Sequence, residues 1–184
     1  LHVLLLGAVS LLYLQGDAQL FPVSLRLVVV SIGVSLALYG GFAIWLRTGR
    51  SLVMLGWSQL LADALVWTSV VYISGGPFSF ATSFYGLSCV LAAVTLGFRG
   101  ALTSAVLEAT LYVGLVIGAG YGWLTPPSDQ PPYDARLGHL VYPTLVSISG
   151  LFVVAILAGY LAQRLQTEAH RVREATDRAE RAER

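Results

Sequence analysis

Apolar residues fall along this chain in long, nearly unbroken blocks, separated by short stretches of Gly, Pro and charge. The blocks cover residues 3–14, 22–46, 52–73, 80–97, 101–121 and 140–162. A bilayer core takes about 20 apolar residues per helix. The first block is short, and the other five are near that length. Lipid offers no hydrogen bonds, so each block must satisfy its own backbone as a helix. The breaks carry turn chemistry: Gln15-Gly16-Asp17, Arg47-Thr48-Gly49-Arg50, Ser74-Gly75-Gly76-Pro77 and Phe98-Arg99-Gly100. The last is Pro-rich, residues 125–138 with Pro126, Pro127, Pro131 and Pro132, and reads as an extended, solvated loop. The pattern predicts an all-α, polytopic transmembrane bundle of about six spans, followed by a polar helix.

Composition agrees. The chain is 56% hydrophobic and 11% charged, too little charge to cover a soluble domain. About half of the charged residues lie after Gln163, and all eleven basic residues are Arg. Six alternating spans put Arg47, Arg50, Arg99 and the six tail arginines on one side, and Arg136 on the other with Asp17, Asp129 and Asp134. By the positive-inside rule both termini are expected in the cytoplasm. Tyr72, Tyr121, Trp123, Tyr133 and Tyr142 fall near the outer boundary, as an aromatic belt would. The chain begins at Leu1, which reads as a piece of a longer protein.

Without a hydrophobic force between helices in lipid, small residues must let backbones approach. Ala101, Ala105 and Ala109, and then Gly114, Gly118 and Gly122, recur every fourth residue and predict a packing face on the fifth span. The sharper alternative for them is a dimerisation face. Two acids lie inside spans, Asp63 and Glu108. Such residues are costly in hydrocarbon and face partners or cavities. Gln59 is one turn from Asp63, and Ser104 and Tyr112 are one turn either side of Glu108. Counted from the Arg-rich ends, the two acids are roughly 16 Å and 10 Å deep at 1.5 Å per residue. One shared polar pocket of Asp63, Gln59, Glu108, Ser104 and Tyr112 is the candidate sensing site. Neutral acids bonded between helices are the structural alternative. Cys89 reads as a small buried or lipid-facing hydrophobe and His139 as an interfacial residue. No H-E-x-x-H, no Walker-type loop and no His/Cys cluster occurs, so no catalytic residue, metal site or cofactor is expected in this segment.

Residues 164–184 contain no Gly or Pro and are rich in Ala, Glu and Arg, which favour helix. Leu165, Val172 and Ala179 recur every seven residues, with Leu161, Ala175 and Ala182 at the other seam position and Glu168 interrupting it. This predicts a short coiled-coil seam of a homodimer, continuing the sixth span as a rigid helix about 30 Å long.

Four segments resemble the membrane sensor region of PilS/NtrB-like two-component sensor histidine kinases. They are Asp63 with Tyr72-Ile73-Ser74-Gly75-Gly76-Pro77-Phe78-Ser79-Phe80, then Phe84-Tyr85-Gly86-Leu87, Leu96-Gly97-Phe98-Arg99-Gly100-Ala101, and Gly159-Tyr160-Leu161-Ala162-Gln163-Arg164-Leu165. The resemblance implies a signal-input module feeding a downstream kinase domain. It also implies ATP and magnesium at that domain, and a response regulator as its partner. It makes Gly75, Gly76 and Pro77 an outer-loop motif. The redox-sensing RegB-type kinases carry a related quinone-associated loop, whose Asn-Pro pair this chain lacks. His170-Arg171-Val172-Arg173-Glu174 departs from the phosphoacceptor box, so His170 reads as an ordinary helix residue. The rival reading is a small transporter or channel using Asp63 and Glu108. No nucleic-acid partner is expected.

Overall fold

The computed structural model describes residues 22–49, 51–133 and 137–182. Among the described residues four helices are present: α1 (Pro22–Arg47), α2 (Leu52–Ile73), α3 (Ser83–Gly120) and α4 (Leu137–Ala182). Two short 3-10 turns, Gly76–Phe78 and Phe80–Thr82, bridge α2 to α3. No strand occurs among the described residues. All four helices are long and apolar enough to cross a membrane. The six-span count is not supported. The expected span at residues 3–14 lies outside the described residues, as do Asp17, Arg50, Asp134 and Arg136. The expected fourth and fifth spans belong to the single element α3.

That element is not straight. Gly97 has φ 73° and ψ −161°, a conformation almost confined to glycine. The chain turns back there. The rings of Tyr85 and Tyr112, 27 positions apart, lie 6.3 Å apart, whereas 27 residues of straight helix would separate them by about 40 Å. The arm before Gly97 thus packs against the arm after it. The two arms lie within three residues of the apolar blocks at 80–97 and 101–121, and the reversal at Gly97 falls beside the predicted Phe98-Arg99-Gly100 break.

The elements run antiparallel in order. Gly56 on α2 meets Leu96 at the end of the first arm, and Gly159 on α4 meets Phe98 at the start of the second. Trp67 stacks on Phe84 at 4.8 Å near the other end. One end of the bundle therefore gathers Arg47, Arg99 and the start of the polar stretch of α4. The opposite end gathers the start of α1, the 3-10 turns and residues 121–133.

The most extensive helix contact is between α3 and α4. Ala101, Ala105 and Ala109 are buried there, in one core with Leu151, Ala155 and Ala162, as the small-residue spacing predicted. The glycine series does not form one packing face. Gly118 is buried against Leu124, but a side-chain carbon at Gly114 would meet nothing within 4 Å. Gly122 lies beyond the helix with φ 72°. Trp123 N–H bonds Gly118 C=O at 2.8 Å, and Gly122 N–H bonds Ala119 C=O at 3.1 Å. This is a Schellman cap, in which glycine at the left-handed position closes the helix end. The four-residue spacing of Gly122 was a stop signal, not a packing signal.

Many large apolar side chains stay exposed, including Val30, Ile44, Val94, Leu157 and Leu161. α1 is the extreme case, with only Ser24, Leu25, Ile32 and Ser35 buried. A contiguous apolar surface of this kind is foreign to a soluble monomer and suits hydrocarbon.

Candidate functional site

The polar positions inside the bundle converge as the spacing of Asp63 and Glu108 suggested. Gln59 and Asp63 on α2, Ser88 on the first arm of α3 and Ser104 on the second arm line one cavity of about 20 Å³. The volume suits a single water-sized occupant. Asp63 is buried and accepts a hydrogen bond from the Tyr39 hydroxyl of α1. Glu108 is fully buried, with Ser88 and Ser104 beside its carboxylate. The Cys89 thiol donates to its Oε2 at 3.5 Å, while Oε1 has no hydrogen-bond partner among the described residues.

Two residues depart from the expected site. Tyr112 is not part of it. Its hydroxyl donates to Pro77 C=O at 2.9 Å, towards the opposite end. Four-residue spacing fixes the face on which a side chain starts, and the long tyrosine reaches away from Glu108. Cys89 is buried, as a small hydrophobe would be, yet its thiol also engages Glu108. Three contributors escaped the sequence reading: Tyr39, Ser88 and Cys89 as a donor. Tyr39 lies on α1, and Ser88 and Cys89 on the arm of α3 before the Gly97 reversal, and spacing along one helical arm does not report on its neighbours. An oxygen-bearing residue at mid-span, as Tyr39 and Ser88 both are, was the available signal.

A second polar cluster holds the far end together. Asp129 caps α1 by accepting from Val23 N–H at 2.9 Å, Ser24 N–H at 2.8 Å and Ser24 Oγ at 2.7 Å. These amides are orphans of the first helical turn, and a carboxylate there also meets the positive end of the helix dipole. Partial desolvation opposes ionisation of Asp129, but the bonds from Ser24 and Val23 outweigh it and hold the carboxyl below its ordinary value. Gln130 donates to Ser24 Oγ at 3.0 Å and to Ile73 C=O. Tyr72 donates to Thr125 C=O at 2.5 Å, and Tyr133 to Tyr72 C=O at 3.0 Å. Burial, and then neighbouring Tyr72, push the Tyr133 phenol up to about 12. The described part of the Pro-rich segment, residues 125–133, is therefore docked across α1 and α2, not free in solvent as its composition suggested. Its side chains satisfy backbone groups that helix ends leave open.

The Gly75-Gly76-Pro77 motif belongs to this cluster. Gly75 and Gly76 have φ 125° and 58°. A side-chain carbon on Gly76 would lie 2.7 Å from the Tyr133 ring. Pro77 is buried and presents its carbonyl to Tyr112. The motif thus seats the 3-10 turn against the bundle.

Beyond Ala162 the last helix leaves the core. Every side chain described from Gln163 to Ala169 is exposed, and Leu165 is 62% exposed. Arg171–Glu168 at 3.0 Å and Arg178–Glu174 at 3.4 Å are exposed pairs of small energetic value. The side chains of His170, Val172, Ala175 and Ala179 lie outside the described ones. His139 is exposed near the start of α4.

The chain matches no protein-family model, no curated protein and no solved structure.

Proposed function

We propose that this chain is the membrane-embedded input module of a bacterial two-component sensor histidine kinase. It sits in the inner membrane with both termini in the cytoplasm, and the two arms of α3 each cross the bilayer. The observation that carries the reading is α4, one helix of 46 residues with no break after Pro143. It measures roughly 69 Å at 1.5 Å per residue, more than twice a bilayer core of about 30 Å. The side chains described from Gln163 to Ala169 are exposed, Leu165 at a heptad position among them. A stiff helix that outruns the membrane couples motion inside it to whatever follows. The seam of Leu165, Val172 and Ala179 pairs with a second protomer, and a kinase domain beyond it uses ATP and magnesium to phosphorylate a response regulator. Arg47, Arg99 and the tail arginines at one end of the bundle support the orientation.

The cluster of Asp63, Gln59, Ser104 and Glu108 is the input site in this reading, because polar side chains of α2 and of both arms of α3 converge there and Tyr39 of α1 bonds Asp63. Single cysteines placed at each position from 165 to 182 test the coupler in membranes. Disulfide crosslinks between protomers should peak at 165, 172 and 179. Uniform crosslinking, or none, removes the dimeric coupler and favours the transporter reading of Asp63 and Glu108.

A further inference from the structure

α1 buries little of itself, only Ser24, Leu25, Ile32 and Ser35, and a groove runs beside its contact with α2. The cavity measures about 480 Å³. Its walls are Val30, Val34, Leu38 and Phe42 of α1 and the face of α2 between Ser58 and Ser69. The four α1 residues recur every fourth position and so form one row along the helix. From Val30 to Phe42 that row measures roughly 18 Å at 1.5 Å per residue, a little more than half of a bilayer core of about 30 Å. The walls offer little to a polar solute. Ser58 and Ser69 donate to Leu55 C=O at 2.8 Å and Leu65 C=O at 2.9 Å, both on their own helix. A groove of this length and lining suits a hydrocarbon chain.

The row continues one turn beyond the groove. Arg26 stands four residues before Val30, on the same face and exposed. Among the described residues it is the only Arg at this end of the bundle, since Arg47 and Arg99 lie at the other. α1 has 26 residues, roughly 39 Å of helix, close to the roughly 40 Å of a bilayer with its headgroup layers. As the fifth residue of that helix, Arg26 stands at the headgroup boundary. A long cationic side chain there keeps its stem in hydrocarbon and its charge at the interface. Asp129, at the start of the same helix, is held by Val23 and Ser24. Ser24 is buried two residues from Arg26, roughly 200° round the helix, so that carboxylate is directed away from the groove.

We propose that this groove holds one acyl chain of an anionic phospholipid, whose headgroup phosphate pairs with Arg26. A cation at one end, with an apolar groove leading away from it, matches the two parts of that molecule. A zwitterionic lipid also fills the groove, but its own cation opposes Arg26. The walls include Leu38 and Ala62, the neighbours of Tyr39 and Asp63, so the chain fills the space beside the bond that joins α1 to α2. The proposal rests on α1 and α2 crossing a bilayer, and on neither the input-site reading nor the coupler reading above.

The test uses the full chain in phosphatidylcholine nanodiscs, with a trace of phosphatidylglycerol or of phosphatidylcholine carrying a diazirine in its chain. Photo-crosslinks mapped by mass spectrometry should fall on residues 30–42 and 58–69. Phosphatidylglycerol should label them roughly fivefold more than phosphatidylcholine, as expected for one interfacial Arg facing an anionic lipid, and unlabelled phosphatidylglycerol should compete. Arg26→Gln should erase the preference, and Arg47→Gln at the other end should keep it. Val34→Trp fills the groove and should lower its labelling by both lipids, with labelling at Val94 and Leu157 and the helical circular dichroism unchanged. The proposal is overturned if both lipids label the wild-type groove equally, if Arg26→Gln keeps the preference, if Arg47→Gln loses it, or if Val34→Trp leaves the labelling as it was. A groove that neither lipid labels, while Val94 and Leu157 are labelled, also overturns it and gives the groove to a second copy of the chain or to residues 3–14.

Discussion

Replacing Gly97 by Ala isolates the cost of the turn that folds α3 back on itself. A side-chain carbon at Gly97 would meet nothing within 4 Å, so the change introduces no clash with the rest of the bundle. What it alters is the backbone. At φ 73° and ψ −161° an L-residue is strained, at a cost of about 1–3 kcal/mol. At 1.4 kcal/mol per decade that is a roughly five- to 150-fold loss in the folded-to-unfolded ratio. Gly114→Ala is the matched control. It is the same chemical change, also in open space, but in regular helix, where alanine is favoured over glycine by up to about 1 kcal/mol. Reversible unfolding in mixed micelles with increasing dodecyl sulfate, followed by circular dichroism, gives both values on one scale. Gly97→Ala should be less stable and Gly114→Ala equal to or more stable than wild type. Equal effects of the two substitutions would refute the hairpin geometry at Gly97.

Two further outcomes follow from the polar contacts. Tyr39→Phe removes a donor from the buried Asp63 carboxylate and should cost about 1–3 kcal/mol in the same unfolding assay; an unchanged midpoint would mean that α1 does not hold Asp63. Asp129 has a carboxyl held below its ordinary value near 3.8, so the stability it adds is complete above that pH and is lost as pH falls through its lower folded value. The stability gap between wild type and Asp129→Asn should therefore stay constant from neutral pH down to about 4 and close below it. A gap that closes between pH 7 and 5 would show that Asp129 does not cap α1.

The sequence made the helices legible because lipid-scale apolar blocks and breaker residues are local signals. The block at residues 52–73 matches α2, and that at 22–46 differs from α1 by one residue. Asp63, Gln59, Ser104 and Glu108 came together because helical spacing and shared depth place residues on one face at one level. What stayed hidden lies between elements. Tyr39 reaches Asp63 across a helix pair, and Asp129 caps a helix more than a hundred residues upstream. Gly122 and Gly118 share a spacing yet do different work, since a helix ends between them. Tyr112 shares a face with Glu108 yet bonds Pro77, because the end of a long side chain is set by its partner. The long reach of α4 was foreshadowed by an absence, that of any Gly or Pro after Gly159.

The break at Gly97 also bears on how such a chain is made. The arm Ser83–Leu96 has fourteen residues, roughly 21 Å, short of the 20 or so that partition into a bilayer unaided. In the topology proposed above this arm crosses the bilayer together with the 3-10 turns before it, and irregular backbone is tolerated at that depth only when enclosed by protein. In that topology the arm is expected not to partition from the insertion machinery alone. The expected route is entry as a pair with the second arm, whose alanine face and Glu108 pack against it. Biogenesis would then be paced by synthesis of the segment after Gly97, and a truncation just beyond Arg99 should leave the first arm outside the bilayer.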